Sequence, residues 1–161
     1  MKPIVFGRIS SQGRGLLAAC ILVAFTLPTT ADSLTYRNDR FGTTIRFPTD
    51  LFDTLLPPAN ADGQTFLGPD EAELIVYGSR GEDFRQMADQ ARQQLGDITL
   101  DRVTRDWFAI SGFDANGNVF YQRTERGAGG VLHTAILRYP PSQKPSIDPQ
   151  VGRIMRTLAG P

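Results

Sequence analysis

The stretch ITLDRVTRDWFAISGFDANGNVFYQRTERGAGGVLHTAILRY, residues 98–139, decides the fold. It holds four strand-like runs, 98–104, 107–113, 118–125 and 131–139, in which apolar positions recur with a period of two. Asn116-Gly117 is a strong hairpin signal, because both residues tolerate the positive φ of a tight turn. Residues 127–130 close the next turn. Strands joined this tightly must pair antiparallel.

On the N-terminal side, Phe84, Met87, Ala88, Ala91 and Leu95 recur at helical spacing. Ser79 and Glu82 have the spacing of a capping box, and Gly96 is a natural stop. On the C-terminal side a loop carries Pro140, Pro141 and Pro145. Beyond it Asp148 is placed to cap a second helix, with Pro149 in its first turn and Val151, Ile154, Met155 and Leu158 as its apolar stripe. Further out, 34–36 and 43–47 read as strands joined at Asn38-Asp39. Residues 65–67 and 73–77 read as a hairpin across Gly68-Pro69-Asp70. A longer connection, 48–63, carries Pro57, Pro58 and the Asp62-Gly63 turn. The expectation is an α+β fold: one continuous antiparallel sheet of about six to eight strands with two packed helices.

The N-terminus reads as an export signal. Lys2, Arg8 and Arg14 make a positive opening with no acidic residue before Asp32. A 12-residue apolar run, 16–27, follows and Pro28 ends it. Thr29 and Ala31 supply the small residues of a cut before Asp32. The run is shorter than the roughly 20 residues of a spanning helix. Residues 1–31 are therefore expected to be a signal peptide and 32–161 a single domain, periplasmic or secreted. Leu17-Ala18-Ala19-Cys20 also resembles a lipoprotein signal, but apolar residues continue past Cys20, which argues against a lipid anchor there. Attachment to the membrane would come only through an uncleaved signal or acylated Cys20.

After residue 31 there are 14 basic and 17 acidic side chains, a net charge of −3, and no cysteine. That balance disfavours nucleic acid as a partner. Without disulfides the domain must be held by packing alone.

The segment Phe41-Gly42-Thr43-Thr44-Ile45-Arg46-Phe47-Pro48, followed by Leu51-Phe52, resembles the opening of PsbP-like domains. In those domains, which share a fold with the nuclear Ran-binding Mog protein, an aromatic-rich strand ends in an aromatic-proline pair. A large apolar residue, often tryptophan, follows; here Leu51 and Phe52 stand in its place. The order of strands, helix, strands and final helix from Leu34 to Leu158 is similar too. The resemblance implies a small α+β domain acting as a binding or accessory module.

No catalytic set stands out. His133 is the one histidine, so a hydrolytic triad would have to use it. Ser111 is the nearest thing to a nucleophile, but Ala109 breaks the G-x-S-x-G pattern. By alternation His133 shares an apolar strand face with Val131, Ala135, Leu137 and Tyr139, the setting of a buried histidine. One histidine and no mature cysteine argue against structural zinc. Asp114, Asn116, Asn118 and Glu125 fall at calcium-loop spacing, but Val119 stands where that loop needs glycine. No cofactor is implied. The expected function is a non-enzymatic binding or accessory module of the bacterial envelope, meeting a protein or an apolar ligand. The alternative is a small hydrolase using His133. Candidate contacts are Phe52 and Leu55 in the long connection, Trp107 in the aromatic-rich strands, and His133.

The export signal makes a direct prediction. The intact mass of the exported protein should match a chain beginning at Asp32. A mass beginning at acylated Cys20 would overturn the cut site and make the domain membrane-attached.

Overall fold

A computed structural model of the chain describes residues 32–57 and 60–161. The signal reading, Cys20 and Pro58 lie outside the described residues.

The four strands of the deciding stretch are β6 (Asp97–Val103), β7 (Trp107–Phe113), β8 (Val119–Arg126) and β9 (Val131–Tyr139). Before them come β1 (Ser33–Arg37), β2 (Thr44–Pro48), β3 (Thr54–Leu56), β4 (Gly63–Leu67), β5 (Glu73–Arg80) and helix α1 (Phe84–Gln93). Helix α2 (Lys144–Met155) follows them. Seven strands form one antiparallel sheet in the order β3-β4-β5-β9-β8-β7-β6. The fold is α+β, as its patterning requires. The first hairpin departs from the single-sheet expectation: among the described residues β1 and β2 pair only with each other, apart from a bridge between Thr44 and Ala159.

Strand β9 lies between β5 and β8 and is buried on both sides. Its sequence allows this because apolar residues occupy both parities: Val131, Ala135, Leu137 and Tyr139 on one face, Leu132 and Ile136 on the other. The first face is covered by α2 and the β1–β2 hairpin. There Ile45, Phe47, Phe52, Phe66, Leu74, Leu137, Ile147 and Ile154 make one core. Phe47 packs at 4.6 Å between ring centroids on Phe66 and at 6.1 Å edge-on to Phe52. On the second face α1 buries Phe84, Met87, Ala88 and Ala91 against Phe108, Ile110, Phe120 and Leu132.

Three expectations from the sequence need correction. Ser79 and Glu82 do not cap α1, because β5 runs on to Arg80. The cap is Asp83, whose Oδ1 accepts from the Gln86 N–H at 2.8 Å. Asp148 does not cap α2 either. That helix begins four residues earlier with Pro145 in its first turn, and Pro149 lies inside it. Asp148 instead accepts a 2.7 Å hydrogen bond from the Tyr139 hydroxyl and pairs with Lys144 at 2.9 Å, one helical turn back. The 48–63 connection is not wholly irregular: Thr54–Leu56 adds β3 to the edge of the sheet beside β4.

The segment after α2 returns to the hairpin, with Leu158 buried at 3% exposure. Truncating Leu158 to Ala should therefore cost about 2–5 kcal/mol in urea unfolding. A change within about 0.5 kcal/mol would show that this segment is not docked.

Candidate functional site

Directly paired residues of adjacent strands project to the same face. The register thus sorts the first face into rows. One row runs Arg102, Ala109, Arg123, Ala135 across β6, β7, β8 and β9. A second runs Leu100, Ser111, Tyr121, Leu137. A third runs Trp107, Glu125, His133 and, on β5, Gly78. Towards β9 these rows end under α2 and the hairpin. Towards β6 the cover thins out: Phe113 and Tyr121 are half-buried where they pack against the margin of the core, Trp107 is half-buried, Leu100 is 38% exposed and Arg102 is exposed.

Trp107 is the centre of this uncovered half. The guanidinium of Arg123 lies over its ring at 4.5 Å from the centroid, and that of Arg102 at 5.1 Å. Arg123 also donates from Nε to Glu125 Oε1 at 2.8 Å. Ala109 and Ser111 are too small to rise above these neighbours and form a low floor between them. Burial pushes the Tyr121 hydroxyl pKa up, while the nearby Arg123 and Arg156 charges draw it back. Lys144 sits over Phe113 at 5.6 Å on the border of the face.

His133 occupies the covered half of the same face and is 1% exposed. Its Nδ1 lies 2.8 Å from Thr43 Oγ1. After α2 the chain crosses above it as a strap. The Thr44 N–H donates to Ala159 O at 2.8 Å, the Ala159 N–H returns to Thr44 O at 3.0 Å, and the Ala128 N–H donates to Pro161 O at 2.7 Å. The strap so fastens the first hairpin to the turn between β8 and β9. Gly127 and Gly160 press against the imidazole from two sides, and a Cβ at either position would overlap it. Nε2 has no hydrogen-bond partner among the described residues. Burial lowers the His133 pKa; Glu125 and the Pro161 carbonyl oppose this only in part.

The four candidate contacts separate accordingly, and the structure brings only Trp107 and His133 onto one row. Phe52 is a core residue at 1% exposure, whereas Leu55 stands 61% exposed on edge strand β3. Ser111 lies on a different row from His133 and makes no hydrogen bond to it. Asp114 spends its Oδ1 on the Asn116 and Asn118 N–H groups at 2.8 and 2.9 Å, closing the turn in which Gly117 has φ +79. Glu125 points instead to Arg123. Arg102, Arg123 and Arg156 are not singled out by the sequence pattern. The alternation of Arg102 and Arg123 with apolar neighbours is visible there, but only the register shows that both meet Trp107.

No protein-family model matches the chain, and no curated protein sequence is similar to it. Among solved structures, the solution structure of cyanobacterial PsbP (CyanoP) from Synechocystis sp. PCC 6803 superposes with a TM-score of 0.59. The match covers 91% of this chain and 100% of that one at 12% identity. The fold is PsbP-like. At that identity the similarity carries architecture alone. The opening segment that resembles PsbP-like domains has a structural job: Ile45 and Phe47 enter the core, and Phe52 closes on Phe47. Gly42, at φ +69, makes the turn that lets Thr43 reach His133.

The buried imidazole sets a pH dependence. Above its ordinary pKa of 6.5 the ring is neutral whether the chain is folded or not, and its contribution is complete. Below that value the unfolded chain takes up a proton that the folded one resists, so stability should fall as pH drops. Urea midpoints between pH 7.5 and 5.5 should decline for the wild type and decline less for His133→Gln. Equal slopes would show that His133 is not held neutral.

Proposed function

We propose that the mature chain is an exported, non-enzymatic binding or accessory module of the bacterial envelope. Its contact surface is the uncovered half of the sheet around Trp107. The observation that carries this reading is that face itself. An indole beneath two guanidiniums, with a tyrosine, a phenylalanine and a leucine beside it, is left open beside a well-filled core. Tryptophan, tyrosine and arginine are the residues that most often dominate the energy of protein contacts. Guanidiniums already resting on an aromatic ring lose less freedom when a partner docks.

The hydrolase alternative gains nothing from the geometry. A general base must reach the proton it takes, and His133 lies beneath the strap with its Nδ1 engaged by Thr43. Export is supported by the charge, length and cut-site pattern of residues 1–31.

Trp107→Ala tests the reading, because the side chain is only half-buried and its loss should cost about 1 kcal/mol of stability. Capture of envelope proteins by cross-linking should drop strongly for this variant while its circular dichroism stays native. Unchanged capture would reject the surface. Ester or peptide turnover that disappears in a folded His133→Ala variant would reject the non-enzymatic reading.

A further inference from the structure

The uncovered face is cationic in a domain that is acidic as a whole. Arg102 and Arg156 are exposed and neither pairs with a carboxylate among the described residues. Arg123 and Lys144 add two more cations. The carboxylates on or beside the face are Glu125, held by Arg123, Asp148, held by Lys144, and Asp97 at the far corner opposite Phe113. The cations form no single cluster. Arg102 and Arg123 meet at the Trp107 ring, whereas Arg156 lies towards Tyr121 and Lys144 over Phe113, so aromatic side chains stand between the charges. Such a surface is matched by carboxylates set apart by apolar side chains, rather than by a single compact anion. Glu125 already displays the mode: a carboxylate bound to a guanidinium that sits 4.5 Å from the centre of the Trp107 ring.

Resting on the binding-module reading above, we propose that this face docks an acidic segment of another protein, with its carboxylates on Arg102, Arg123 and Arg156 and its apolar side chains against Trp107 and Tyr121. Two other occupants are disfavoured by charge. Residues 1–31 carry three basic and no acidic side chains, the same sign as the face. A second copy meeting the first face to face would oppose like charges.

Trp107 is the single tryptophan of the chain, so its fluorescence reports on this face alone. The probes are a synthetic peptide alternating glutamate with valine, the same peptide with lysine for glutamate, and inorganic phosphate, each titrated into the mature protein. The glutamate peptide should change the emission saturably, bind less tightly as salt rises, and weaken roughly tenfold or more with Arg102→Glu/Arg156→Glu. Equal binding of the lysine peptide, or equal competition by phosphate, would overturn the acidic-segment proposal while leaving the surface intact. A concentration-dependent dimer abolished by the same double variant would overturn it in favour of a second copy. Silence from every probe, together with envelope capture unaffected by Trp107→Ala, would overturn the binding surface itself. Silence from the peptides with capture lost in Trp107→Ala but kept in the double charge variant would overturn only the acidic partner.

Discussion

The two-sided burial of β9 is the constraint on which the rest of the molecule depends. A strand apolar on both faces must be covered from both sides, and no single element among the described residues does that. Helix α1 is committed to one side; α2 and the first hairpin are committed to the other. Because β9 pairs with β5 on one edge and β8 on the other, it also joins the N-terminal strands to the C-terminal meander. The coverage is asymmetric. The elements on the first side reach across β4, β5 and β9 to Val119 on β8, with Tyr121 and Phe113 packed at the margin, so the outer part of the meander around Trp107 stays open. The candidate surface is thus a remainder of how the core was satisfied, and its side chains are what distinguish it from ordinary solvent-facing sheet.

Much of this is legible in residues 98–139. Alternation locates β6 to β9 within a residue or so, and the Asn116-Gly117 pair fixes the hairpin between β7 and β8. The first-helix stripe is equally readable from Phe84, Met87, Ala88 and Ala91. What fails are the ends of elements. Serine and aspartate are used wherever a backbone N–H needs an acceptor, so Ser79 and Asp148 look like caps whether or not a helix starts there. Strand β3 is hidden because three residues give no period, and its partner β4 is what makes it a strand.

The site is less legible than the fold, for a physical reason. Alternation tells which residues share a face along one strand, but not which residues of different strands meet. Phe108 and Phe120 stand next to Trp107 and Tyr121 in sequence, yet they point into the α1 core while their neighbours face outward. The pairing of Arg102 and Arg123 over one indole depends on the β6–β7–β8 register, including the irregularity between Ile98 and Leu100. His133 is readable as buried from its strand neighbours, but its bond to Thr43, ninety positions away, and its cover by Gly160 are not.

The position of β9 in the sheet also governs when the molecule can close. Strand β5 is finished by residue 80, but its main partner begins at residue 131, with α1 and three other strands made in between. The core on the first face further awaits α2 and the bridge from Ala159 back to Thr44. Contacts this distant along the chain delay folding, since the loop between them must be ordered before any reward is gained. The meander can pair locally early on, whereas the N-terminal hairpins have nothing to pack against until nearly the whole chain is available. The first-face core is thus the part of the molecule that topology leaves to close last.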